Sequence, residues 1–193
     1  MNKKQLIVTS ILLSLMLILV ITQGFFKENF EQVILMDQGI NRFKEYSFDE
    51  NKYVISLPSE WNVEEKESKG QYVSYELDFK DKNNKLTGLL QVVNTKEDIN
   101  VFAEKDLNSQ CLEYYNSELT PFKNSYNSGV LVKYETKVKN GYDFNNECYY
   151  LNLGEGKTAK ILFNLKSKDY KDYKDNMKTI LNTIISSIKS SQS

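Results

Sequence analysis

Residues 130–165 read VLVKYETKVKNGYDFNNECYYLNLGEGKTAKILFNL. Val130, Val132, Tyr134, Thr136 and Val138 alternate with Lys133, Glu135, Lys137 and Lys139. A period of two sends successive side chains to opposite faces, so this is a strand with one face buried. Asn140-Gly141 is a strong signal for a tight hairpin, and Tyr142 to Leu153 runs back as the second strand. Gly154-Glu155-Gly156 turns the chain again, and Ala159, Ile161, Phe163 and Leu165 face inward on a third strand. Connections this short require antiparallel pairing.

The same alternation appears upstream. Tyr53, Ile55 and Leu57 form a strand that Pro58 ends. Val73, Tyr75, Leu77 and Phe79 face one way, and Ser74, Glu76, Asp78 and Lys80 the other. Asp81-Lys82-Asn83-Asn84-Lys85 is a polar hairpin turn. Leu86 to Val93 is more evenly apolar, as expected of a strand buried on both faces.

Two helical stripes complete the pattern. One opens at Thr95-Lys96-Glu97-Asp98, with Thr95 as cap, and carries Ile99, Phe102, Ala103, Leu107, Cys111 and Tyr114. A polar loop with Pro121 and Gly129 follows it. The other holds Tyr173, Met177, Ile180, Leu181, Ile184 and Ile188. The expected class is α+β: an antiparallel sheet flanked by two amphipathic helices.

This order, together with Tyr53-Val54-Ile55-Ser56-Leu57-Pro58-Ser59-Glu60-Trp61, resembles the PsbP-like (Mog/PsbP) sandwich family over roughly residues 46–190. Members of that family often open with a strand followed by Pro-x-x-Trp, then a meander, a helix, more strands and a final helix. The resemblance implies an extracytoplasmic or organellar binding module that supports a larger complex without catalysis. It carries no site motif to transfer. Trp61 reads as an aromatic lid on the sheet edge or as a partner-contact anchor, a role in which exposed tryptophan is favoured.

Residues 6–26, LIVTSILLSLMLILVITQGFF, hold no charge and follow Lys3 and Lys4. As a helix they would measure roughly 31 Å, close to a hydrocarbon core. Lysines before the run keep the N-terminus cytoplasmic. A cleaved signal peptide is the competing reading, but its apolar region is usually shorter, and Thr22-Gln23-Gly24 is a poor cleavage site. Thr9, Ser10 and Ser14 are tolerated because hydroxyls bond back to the helix. The expected organisation is a cytoplasmic end over 1–5, a transmembrane anchor over 6–26 and a helical stalk over 27–45. An extracytoplasmic domain over 46–190 and a polar tail over 191–193 complete it. Gly39 weakens the stalk helix.

Beyond the run lie 23 Lys plus Arg, all 25 but Lys3 and Lys4, against all 26 Asp plus Glu, a net charge of −3. That balance gives no footprint for nucleic acid. Histidine is absent, which removes the commonest general base and metal ligand. The expectation is therefore no cofactor, no metal and no catalytic residue. The expected partners are the membrane, through residues 6–26, and another envelope or surface protein.

Three groups remain as chemistry candidates. Cys111, on the apolar stripe of its helix, and Cys148, on a strand, both point between helix and sheet. An even number of cysteines outside the membrane suits a disulfide, and closing this loop would contribute on the order of 3–4 kcal/mol. The alternative is two unpaired buried thiols. Glu64, Glu65 and Glu67, and separately Asp169, Asp172 and Asp175, are carboxylate clusters that a hydrolase or a cation site would need, but interleaved lysines make them read as solvated surface. Gly154-Glu155-Gly156-Lys157-Thr158 ends in Gly-Lys-Thr yet lacks the earlier glycine and the following helix of a phosphate loop, so it reads as a hairpin turn.

Overall fold

A computed structural model describes residues 3–66, 72–83, 85–110, 113–138 and 141–191, with the backbone alone at 3, 4, 6, 23–31 and 169–175. The chain forms two units, residues 1–40 and 41–193.

The first unit is helix α1, Lys3–Asp37. It ends in a left-handed Gly39 at φ 73°, whose N–H bonds the Met36 carbonyl while the Ile40 N–H bonds that of Leu35. These are the two bonds of a Schellman motif, which satisfies carbonyls the helix leaves free. Thr9, Ser14 and Thr22 donate to the carbonyls four residues back, at 2.8–3.0 Å. Among the described residues no helix is long and apolar enough to cross a membrane. To that extent the transmembrane helix expected over 6–26 is not found.

The second unit is α+β. A small sheet has the order β1 (Phe43–Phe48), β2 (Tyr53–Pro58), β10 (Lys189–Ser190). The large sheet is built from β3 (Asn62–Lys66), β4 (Val73–Lys80), β5 (Leu86–Asn94), β6 (Tyr114–Lys123), β7 (Ser128–Lys137), β8 (Asp143–Gly154) and β9 (Lys157–Lys166). Its order is β3-β4-β5-β9-β8-β7-β6, antiparallel throughout. Helix α2 (Ile99–Asn108) lies on one face and α3 (Ser167–Ser186) on the other.

The α3 face is the main core. Leu77, Phe79, Leu86, Leu90, Val92, Ile161 and Phe163 share it and are at most 2% exposed. Ile180, Leu181, Ile184 and Ile185 of α3 and Ile55 and Leu57 of β2 are at most 3% exposed. Each such side chain contributes about 1.5–3 kcal/mol relative to exposure. On the α2 face, Ala103 and Leu107 pack on Val130, Val132, Tyr134, Cys148 and Tyr150.

Several elements differ from the sequence reading. The cap of α2 is Asp98, whose carboxylate accepts from Asn100 and Val101 N–H, while the Thr95 hydroxyl accepts from the Glu97 N–H in the preceding turn. The helix stops at Asn108, and the expected loop after it is edge strand β6. That strand keeps Pro121, which an edge tolerates, and a left-handed Asn116 beside a bulge. Strand β1 begins at Phe43, inside the expected stalk. Cys148 is a free, fully buried thiol rather than half of a disulfide, and Cys111 lies outside the described residues.

Candidate functional site

Helix α2 is about 15 Å long and roughly 10 Å wide, whereas seven strands span about 29 Å. It packs chiefly on the β7–β8 side of its face. The β3, β4 and β5 side, with the near edge of β9, stays open. Strand β5, expected to be buried on both faces, is buried throughout on one: Leu86, Gly88, Leu90 and Val92 are enclosed, while on the other Thr87 is exposed, Leu89 and Gln91 are half-buried and Val93 is buried.

The open area is a groove of about 670 Å³. Two cross-strand rows line it, and a third runs beside them on the same face. The first is Asn62, Lys80, Thr87, Asn164, and the second is Glu64, Asp78, Leu89, Leu162. The third is Lys66, Glu76, Gln91, Lys160. The floor is thus apolar at Leu89 and Leu162, and the rim carries both charges and amides. Lys66 forms an ion pair with Asp78 and a longer one, 3.9 Å, with Glu76. The hydrogen bond to Asp78 raises the Lys66 pKa above its ordinary value. Glu76 also accepts from the Gln91 amide at 2.7 Å. Among the described residues Glu64 and Lys80 form no ion pair.

Beyond the groove, towards α2, lies a half-buried polar cluster. Asp106 accepts from the Tyr150 hydroxyl at 2.6 Å and from the Lys160 ammonium at 2.7 Å, tying helix to sheet. Cys148 lies in the same layer, and burial pushes its thiol up to about 12. Burial likewise raises the Tyr150 hydroxyl.

The predicted candidates scatter. Glu64 lines the groove, but Glu65, one residue on, points to the opposite face and pairs across from Leu77. The two carboxylates cannot divide acid and base roles at one site. Glu67 lies outside the described residues. Asp169, Asp172 and Asp175 fall in the part of α3 described by backbone alone. Trp61 closes a turn by donating its N–H to the Pro58 carbonyl, and its half-exposed ring stacks on Phe79 at 5.8 Å. Glu155-Gly156 is the β8–β9 turn, and Lys157 is engaged with Asp49 at 2.6 Å. Among the described residues no cluster of three or more His, Cys, Asp or Glu is placed to hold a metal. Sequence reasoning did mark Glu76, Asp78 and Lys80 as the polar face of β4. It missed Thr87, Leu89, Leu162 and Asn164, whose exposure depends on how far α2 reaches.

The arrangement defines a class: an α+β sandwich of the PsbP/Mog-like fold. Among solved structures, the chain is similar to cyanobacterial PsbP (CyanoP) from Synechocystis, with a TM-score of 0.57 at 10% identity over 77% of this chain and 92% of that one. It is also similar to the Saccharomyces cerevisiae Ran-binding protein Mog1p, with a TM-score of 0.50 at 6% identity over 76% and 94%. No protein-family model and no curated protein sequence matches the chain.

Proposed function

We propose that this chain is a non-catalytic binding module, held at a membrane by its N-terminal run, that supports assembly of an envelope or cell-surface complex. The observation that carries the reading is the open groove, where a mixed-charge rim surrounds the apolar pair Leu89 and Leu162. A water-accessible sheet face with a small apolar centre and a polar rim has the anatomy of a protein interface. Mog1p, which shares the fold, is described as Ran-binding, which supports a protein as the partner class. Trp61, half-exposed beside β3, supplies a second contact.

Membrane attachment is part of the same proposal. Large apolar side chains from Ile7 to Ile21 are 52–70% exposed around the helix, a surface that water disfavours and lipid accepts. Lys3 and Lys4 orient it with the domain extracytoplasmic. Tethering then raises the effective concentration of the domain for a neighbouring partner. A photo-crosslinker at position 89 in native membranes is expected to capture one partner that a crosslinker at position 123 does not. Equal yields from both positions would sink the groove assignment. Proteinase added to intact cells is expected to cleave the domain, and protection would reverse the topology.

A second reading is a small ligand or wall component in the groove, favoured by the amide and hydroxyl row Asn62, Thr87 and Asn164. Saturable thermal shifts with wall fragments, lost on Thr87→Val, would select it over the protein partner.

A further inference from the structure

The large sheet ends on β3 and β6, and the two edges are built differently. Strand β6 carries a bulge between Tyr115 and Glu118, a left-handed Asn116 and Pro121. Each of these interrupts the row of free N–H and C=O groups that another strand would need. Strand β3 has none of them. It pairs with β4 residue for residue, from Asn62↔Lys80 to Lys66↔Glu76, without a bulge, and four of its five residues are exposed. Among the described residues no strand lies on its outer side.

We propose that β3 takes up an extended segment of a protein partner as an eighth strand, and that this segment places a basic residue beside Glu64. The inference rests on the reading of the open face as a protein-binding site and states how the partner is held.

Charge selects the occupant. Glu64 and Asp78 are direct cross-strand neighbours, and Lys66 is already engaged with Asp78 and Glu76. A strand laid along β3 brings one side chain to within roughly 4.5–5.5 Å of Glu64 on the groove side. A lysine or arginine there neutralises the second carboxylate. An acidic residue would make a row of three. The charges that discourage indiscriminate pairing at this edge therefore admit a basic strand. They also disfavour a second copy of this chain, because the register that pairs all five β3 residues sets Glu64 against Glu64. Five residues at about 3.3 Å each give a ladder of roughly 17 Å, enough for a short linear segment.

The full chain in detergent micelles can be tested with labelled, end-capped heptapeptides that alternate valine with lysine or valine with glutamate. Fluorescence anisotropy is expected to give saturable binding of the lysine peptide and at least tenfold weaker binding of the glutamate peptide. N-methylation of one alternating set of amides in the lysine peptide should weaken binding at least tenfold, while methylation of the other set changes it less than threefold. Only a strand with one ladder-facing edge behaves this way. Glu64→Gln should weaken the lysine peptide several-fold, and Glu65→Gln, on the opposite face, less than twofold. Equal effects of the two methylation sets, or equal binding of both peptides, would overturn strand addition. If position 89 still captures its partner in that case, the groove reading stands alone; if it does not, both fail.

Discussion

Glu64 on β3 and Asp78 on β4 face each other in register, and the ammonium of Lys66 bridges to Asp78 and, at 3.9 Å, to Glu76, forming no ion pair with Glu64. Like charges directly opposite one another in a sheet oppose pairing. Glu64→Gln removes that repulsion and leaves the Lys66–Asp78 pair in place. The variant is expected to be more stable than the parent by a few tenths of a kcal/mol, roughly the lower end of cross-strand pair effects. Urea unfolding at low salt measures it, and the gain should shrink as salt screens the pair. A lower midpoint for Glu64→Gln would show that Glu64 has an attractive partner.

Gly88 lies under the ring of Phe79. A Cβ at this position would come within 2.1 Å of the ring and 2.8 Å of the Leu162 carbonyl oxygen. The ring can tilt, but it is sandwiched between Trp61 at 5.8 Å and Phe163 at 5.5 Å, and the carbonyl belongs to the ladder. Gly88→Ala is therefore expected to destabilise by about 1–3 kcal/mol, the usual cost of overpacking. Trp61 is the one tryptophan of the chain, so its fluorescence should shift in the folded variant. An unchanged spectrum with unchanged stability would mean that the Trp61–Phe79 stack is not formed.

The β1–β2 turn is fastened to the β8–β9 turn by two ion pairs, an exposed one from Lys52 to Glu155 at 3.8 Å and a more buried one from Lys157 to Asp49 at 2.6 Å. Asp49 is 5% exposed, and its backbone, with those of Glu50 and Asn51, is left-handed. Lys157→Met leaves a buried carboxylate without its cation. The expected loss is about 2–3 kcal/mol, below the value for fully buried pairs because Lys157 keeps some contact with water. The hydrogen bond to Asp49 raises the Lys157 pKa above 10.5. Its contribution is therefore fully present below pH 10.5 and is lost as pH rises through the folded value. In the same turn, Glu50→Gly removes a left-handed penalty of about 1–2 kcal/mol, part of which the added freedom of the unfolded chain cancels. A modest gain in thermal midpoint is the expected outcome.

The strands that sequence made legible are those with one uninterrupted alternation. Tyr75 to Phe79, Val130 to Thr136 and Ala159 to Leu165 each keep period two and pack as read, whereas a bulge between Val73 and Tyr75 sets Val73 across from Val93 and off the Tyr75 face. Strand β6 was hidden because its bulge and left-handed Asn116 put Tyr115 and Leu119 out of phase. Strand β3, Asn62-Val63-Glu64-Glu65-Lys66, has one apolar residue and no pattern to find. The groove was half legible. Its polar residues on β4 stood out, but whether a polar face is covered depends on the length of α2. That length turns on Asp98 rather than Thr95 providing the cap, and on the stop at Asn108.

Cys148 separates two accounts of the α2–sheet layer. A disulfide with Cys111 would make stability depend on reductant, because cross-linking acts largely on the unfolded chain. The structure instead gives a free thiol at 1% exposure, packed with Tyr150 and Val132 under α2. Burial pushes its pKa up to about 12, against 9.0 for an ordinary thiol. Only the thiolate is reactive, so a maleimide should label Cys148 at neutral pH no faster than the layer opens. Mass mapping of the Cys148 peptide, with and without urea, measures this. The sign of the pH dependence follows. Above pH 9 the unfolded chain releases a proton that the folded chain keeps, so stability falls as pH rises from 9 towards 12. Cys148→Ser should remove that dependence at the cost of burying a hydroxyl, whereas Cys148→Ala should remove it and leave a small cavity. Reductant is expected to leave the thermal midpoint of the parent unchanged. A fall of several degrees on reduction, matched by loss of free thiol in the oxidised protein, would restore the disulfide.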